Sequence, residues 1–174
     1  MNHRFYSNNT CVTCLAIYSG SLCSAFPPVR KGLIGVVSKW NSEITEGLFQ
    51  GAFDALKDCG AINDNIVRWN VPGSYELIYG AQRMRESYDM LDAVIVIGSV
   101  IQGETKHFDF VCQGVTNGIA QLNAAGGIPV IFCVLTDNNM QQAIDRSGGK
   151  HGNKGTEAAI AAIEMAQLRK ESKF

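Results

Sequence analysis

The chain has 174 residues, 46% of them hydrophobic, and a formal net charge of −1 at neutral pH. Domains run to roughly 100–200 residues, so one domain is expected, large enough to bury its own core. Ordinary hydrophobic content excludes a disordered chain, the balanced charge leaves no basic footprint for nucleic acid, and no apolar run reaches the roughly 20 residues of a membrane span.

Residues 1–31 are polar and irregular and close on Pro27-Pro28, so they read as an N-terminal arm, partly disordered, ahead of a domain over 32–174. The mildly apolar stretch Cys14 to Phe26 is too short and too interrupted by Ser and Gly for a signal peptide, which makes a cytoplasmic protein the expectation. Of six cysteines, Cys11, Cys14 and Cys23 lie in the arm, while Cys59, Cys112 and Cys133 are scattered through apolar segments. That scatter reads as thiols of a reduced compartment rather than a disulfide framework. With His3 the arm's cysteines make four zinc ligands on paper, at spacings that match no common zinc module, and no metal site is assigned.

From Gly32 the pattern becomes regular. Leu33-Ile34-Gly35-Val36-Val37 is a short β-branched run, the mark of a strand covered on both faces. Asn41 or Ser42 then serves as helix N-cap, with Ile44, Leu48, Ala52, Ala55, Leu56 and Cys59 at helical spacing and Gly60 as the stop. Ile66-Val67-Arg68-Trp69 reads as a second strand, broken by Pro72-Gly73, with a helix from about Tyr75 to Arg85. Ala93 to Gly98 is the clearest buried strand, and a polar loop after it leads to a helix from about Phe108 to Ala124. Pro129 to Leu135 forms another strand, followed by a short helix from Asn139 to Arg146. The Gly-rich stretch Gly148 to Gly155 precedes a final amphipathic helix from Thr156 to Lys170.

Strands alternating with helices make right-handed βαβ units, hence an α/β fold: a three-layer α/β/α sandwich on a four-stranded parallel sheet. Ligands of such sheets bind beyond the carboxyl ends of the strands, which selects Trp40, Ser74-Tyr75-Glu76, Ser99 to His107, and Thr136 onward. Familiar signals are absent there. No G-x-G-x-x-G follows the first strand, no G-x-S-x-G occurs, and Gly148 to Gly155 follows a helix and lacks the Gly-Lys-Ser/Thr of a phosphate loop.

The residues that remain carry two readings each. His107, one of three histidines, stands where an imidazole can move protons near neutral pH, or is simply the first residue of a helix. The amides near Gly103 to Thr105 can face an anion at that same helix start. Arg146 and Lys154 flank the Gly-rich stretch, as anion ligands or as solvated helix-end cations. Trp40, Tyr75 and Phe132 offer stacking faces or plain packing. Glu76 is a site carboxylate or an early-helix acid.

Taken together, these segments resemble the lumazine synthase family. Val36-Val37-Ser38-Lys39-Trp40-Asn41 with Ile44-Thr45 is similar to its first strand-to-helix turn, and Val71-Pro72-Gly73-Ser74-Tyr75-Glu76 to its second. Gly98 to Asp109 matches its long third motif almost throughout. Ile128 to Phe132, Gln142 to Arg146 and Gly152-Asn153-Lys154-Gly155 complete the set, in order, from about Gly32 to Lys170.

The resemblance implies a flavodoxin-like domain that condenses 5-amino-6-(D-ribitylamino)uracil with L-3,4-dihydroxy-2-butanone 4-phosphate without a cofactor. Trp40 would stack on the pyrimidine. Ser74, Tyr75 and Glu76 would hold its edge and the ribityl chain, and backbone groups of Ser99, Val100 and Ile101 its uracil side. The amides of Glu104 and Thr105 with Arg146 would bind the phosphate, and His107 would shuttle protons. Phe132, Arg146 and Lys154 would come from a neighbouring subunit of a pentamer. The resemblance further implies a 60-subunit icosahedral shell, an arm strand exchanged between neighbouring sheets, and riboflavin synthase as a partner. Trp40 and Tyr75 replace the family's more usual Phe, and Gln102 stands where Arg is frequent. Two rivals stay open at this point: a flavodoxin-like electron carrier holding FMN, and a non-catalytic flavin-binding or shell-forming relative.

Overall fold

The computed structural model describes residues 33–88 and 90–172. The arm, with its cysteines, its zinc possibility and its expected strand, lies outside the described residues. The elements follow in the order β1 (Leu33–Ser38), α1 (Ser42–Asp58), β2 (Ile66–Val71), α2 (Leu77–Ser87), β3 (Ala93–Ile101), α3 (His107–Ala124), β4 (Val130–Asp137), α4 (Met140–Arg146), β5 (Ser147–Gly149), β6 (Gly152–Asn153) and α5 (Lys154–Glu171).

The first four strands form one parallel sheet in the order β2-β1-β3-β4. Each crossover carries a helix, as parallel pairing requires, and the flavodoxin-like sandwich results. Period-two alternation sorts side chains to the two faces. Val37, Ala93, Ile95, Ile97, Cys133 and Leu135 join Ile44, Leu48 and Leu56 of α1 and Ala159, Ile160 and Ile163 of α5. Val36, Val94, Val96, Val130 and Val134 join Leu77, Ala81 and Met84 of α2 and Val115 and Ile119 of α3. Helices on both faces explain why the strands read as unbroken apolar runs. Truncating fully buried Leu48 to Ala costs about 2–5 kcal/mol, the usual range for such a cavity.

Helix starts depart from the sequence reading in instructive ways. Asn41 precedes α1 but does not cap it with its side chain. It sits in the left-handed region (φ 54°, ψ 51°), and its Nδ2 donates to the Ser99 carbonyl at 3.0 Å. Asn tolerates that conformation better than most residues, and here it ties β1 to β3. α2 begins at Leu77 rather than Tyr75, because Ser74 to Glu76 form a turn in which the Ser74 carbonyl accepts from the Leu77 amide. Asn139 does cap α4, accepting from the Gln142 amide at 3.0 Å.

The Gly-rich stretch is a small antiparallel ribbon, β5 with β6, which sequence patterning did not suggest. Asn153 anchors it, donating to the carbonyls of Gly47 and Ser147 and accepting from the Gly155 amide, so it caps α5 and fastens it to α1. Cys112 and Cys133 carry free thiols, whereas Cys59 is disulfide-bonded, which corrects the reading of six reduced cysteines. Among the described residues no helix is long and apolar enough to cross a membrane.

Candidate active site

Where β1, β2 and β3 end, their loops enclose a cleft of about 750 Å³. It is lined by Trp40 after β1, by Gly73 to Glu76 after β2, and by Ser99 to Ile101, Gly103, Thr105 and His107 at the end of β3. Nine of the residues singled out from sequence thus meet in one place: Trp40, Ser74, Tyr75, Glu76, Ser99, Val100, Ile101, Thr105 and His107. Glu104 lies on the same loop and is exposed, but does not line the cleft.

Trp40 is 71% exposed, so its indole presents a face to the cleft rather than to the core. Tyr75 lies against α3, where a Cβ at Gly114 would come within 2.5 Å of its ring. Gly98 has a similar function: a Cβ there would stand 2.7 Å from Ser74 Oγ, so glycine lets the turn after β2 press onto β3. The hydroxyls of Ser74 and Ser99 are buried without a hydrogen-bond partner. Two orphaned hydroxyls in one cleft are what a polar ligand would satisfy.

His107 is the first residue of α3, its amide donating to Thr105 Oγ1 at 3.3 Å. Within the described residues nothing engages the amides of Glu104 or Thr105. The loop is held where it leaves β3, by the Gln102 amide donating to the Asp137 carbonyl at 2.8 Å. Phe108 and Val111 line the cleft too, and sequence reading missed them. The signal was helical spacing from His107: Phe110 at i+3, which also lines the cleft, and Val111 at i+4 share its face of α3.

The other candidates lie elsewhere. Phe132, Arg146 and Lys154 line a separate groove of about 450 Å³ along the edge strand β4, together with Asp137 and Glu157. Arg146 is a third exposed, with Nη1 donating to the Gln142 carbonyl at 3.1 Å and lying 3.8 Å from Asp137 Oδ1. Lys154 Nζ reaches both Glu157 oxygens at 2.8 Å. Burial pushes the Cys133 thiol up to about 12, which leaves it inert in the groove wall. The cleft therefore brings aromatic faces and an imidazole but no Lys or Arg side chain, and the groove brings two cations but no histidine.

A profile of the 6,7-dimethyl-8-ribityllumazine synthases matches residues 32–170, which include both cleft and groove. The chain belongs to that family. Individual relatives agree. The 6,7-dimethyl-8-ribityllumazine synthase of Christiangramia forsetii is 72% identical over 139 residues, covering 80% of this chain and 83% of its own. That of Flavobacterium johnsoniae is 70% identical over 79% of this chain and 72% of its own. That of Bacteroides fragilis is 58% identical over 75% and 90% respectively.

Proposed function

We propose that this chain condenses 5-amino-6-(D-ribitylamino)uracil with L-3,4-dihydroxy-2-butanone 4-phosphate in a site made from the cleft of one copy and the groove of another. The enzyme is a transferase, and its product, 6,7-dimethyl-8-ribityllumazine, is formed in the penultimate step of riboflavin biosynthesis. One observation carries the shared site: stacking faces and imidazole lie in the cleft, while the fixed cations lie in a groove with which it shares no lining residue.

In this reading Trp40 stacks on the pyrimidine. Ser74, Tyr75 and Glu76 hold its edge and the ribityl chain, and Ser99, Val100 and Ile101 hold the uracil. The free amides of Glu104 and Thr105 at the start of α3 meet the butanone phosphate, joined by Arg146 and Lys154 of the neighbour, while Phe132 closes the stack. The arylamine attacks the ketone and one water leaves as the imine forms; phosphate departs, and the ribityl-bearing nitrogen then attacks the carbonyl left on the neighbouring carbon, losing a second water as the ring closes. Holding the two substrates together supplies most of the acceleration. His107 moves the protons, and the cations stabilise the departing phosphate.

Exposed apolar side chains support burial between copies. Phe110 is 69% exposed and Tyr79 72%, and Phe132, Met165 and Leu168 are also open. A head-to-tail contact whose rotation closes makes a ring, here a pentamer, and twelve pentamers a 60-subunit shell. The enzyme works in the cytoplasm, with riboflavin synthase as a downstream partner.

The test is complementation. His107→Ala and Arg146→Ala are made separately, then co-assembled and assayed by lumazine fluorescence. Random mixing restores about a quarter of wild-type activity, because one site in four then joins an intact cleft to an intact groove. No recovery in mixed assemblies would mean that each site is built within one chain. Light scattering of wild type at near-neutral pH separates five subunits from sixty.

A further inference from the structure

Asp137 ends β4 inside the groove and has no part in the reaction as described above. Its side chain is only 6% exposed, Oδ2 is buried without a hydrogen-bond partner, and its backbone is fixed by the Gln102 amide. The nearest cation, Arg146 Nη1, lies 3.8 Å from Oδ1, beyond hydrogen-bond range. Arg146 is instead held by its own helix, through the Gln142 carbonyl. Asp137 therefore acts on the guanidinium through its field and does not set its orientation.

The other carboxylates nearby are well matched. Glu157 has Lys154 on both oxygens, and Asp145 has Lys150 at 3.0 Å and Gln141 at 2.9 Å. Asp137 is the groove's poorly compensated anion. Burial holds its carboxyl above the usual carboxylate range, with Arg146 pulling the other way.

We propose that Asp137 sets how tightly the groove holds an anion, its carboxylate competing with the bound anion for the positive charge of Arg146 and so favouring release. This rests on the reading of Arg146 as an anion ligand. A dianion on Arg146 meets a second negative charge at short range in a partly buried site, where such repulsion is substantial. Each turnover leaves inorganic phosphate in the groove, so a weakened grip speeds the return of the empty site.

The probe is sulfate, whose charge does not change over the working pH range, titrated calorimetrically into the intact assembly at pH 7.5 and constant ionic strength. Asp137→Asn, which keeps the shape and removes the charge, binds sulfate about 3- to 30-fold more tightly. Asp137→Ser does the same, which guards against a fault peculiar to the amide. Tightening is an outcome that structural damage does not produce. Unchanged or weaker binding in both variants overturns the proposal. So does equal tightening in Asp54→Asn, a surface change of the same charge. Arg146→Ala loses most sulfate affinity; if it binds like wild type, the anion-site reading itself falls.

Discussion

The cleft beyond β3 and the groove beside β4 belong to one sheet, yet they differ in place and in chemistry. The cleft is assembled from three strand-end loops, is lined with aromatic and apolar side chains, and holds two buried hydroxyls with no partner. The groove runs along an edge strand and is lined with four charged side chains, of which Lys154 and Glu157 are paired at 2.8 Å while Arg146 and Asp137 stand 3.8 Å apart. In the proposed reading the first receives a ring and the second an anion. The difference teaches that a single fold can present two regions of unlike chemistry; in the proposed reading, catalysis depends on the symmetry that joins them.

That division predicts different kinetic signatures for damage to the two regions. His107→Ala slows turnover by about 10- to 10⁴-fold, nearer the lower end because substrate proximity survives, with little change in KM. Arg146→Ala weakens the butanone phosphate by about 10- to 150-fold through loss of a charge-assisted contact, and leaves the ribitylaminouracil almost untouched. Steady-state kinetics with each substrate varied checks both. Equal loss for both substrates in Arg146→Ala would erase the distinction between cleft and groove.

A smaller effect sharpens the cleft's side. Titrating lumazine product quenches Trp40 emission, and Trp40→Ala lowers product affinity by about 1–3 kcal/mol, on the scale of base–aromatic stacking. Trp69 is half-buried on β2 beside Tyr88 and does not respond directly. A quench that persists in Trp40→Ala would put the heterocycle outside the cleft.

The smallest effect belongs to the groove and concerns stability. The Asp137 carboxyl is raised in the fold, chiefly by burial, so between its unfolded and folded pKa values the folded state binds more protons. Stability is then reduced above the folded pKa, and the reduction is relieved as pH falls through it. Asp137→Asn melts higher than wild type at neutral pH, and the two converge in acid. A lower melting temperature for the variant at neutral pH would mean that the Arg146 attraction outweighs the burial.

The elements themselves were legible because both faces of the sheet are covered. Continuous runs such as Ala93 to Gly98 and Pro129 to Leu135 have no other use in a chain of this length. The cleft was legible as well, since loops at the carboxyl ends of parallel strands converge by topology. The helix expected from about Tyr75 begins at Leu77, because Tyr75 and Glu76 belong to the turn closed by the Leu77 amide on the Ser74 carbonyl. Either Asn41 or Ser42 suits a side-chain cap by local pattern, yet neither caps α1 that way, and the Asn41 amide is spent on the Ser99 carbonyl 58 positions away.

Sequence by itself determined the class of fold, the order of the four sheet strands with their helices, and most residues of the cleft, because these follow from local periodicity and chain direction. Only the tertiary structure decided that Phe132, Arg146 and Lys154 stand in a groove of their own, or that Asp137 is sealed beside Arg146 with an oxygen unmatched. The reason is physical. Spacing along a chain specifies which face of an element a residue occupies. Which charges become neighbours, and how dry their surroundings are, depends on packing between elements distant in sequence, and local pattern carries no record of it.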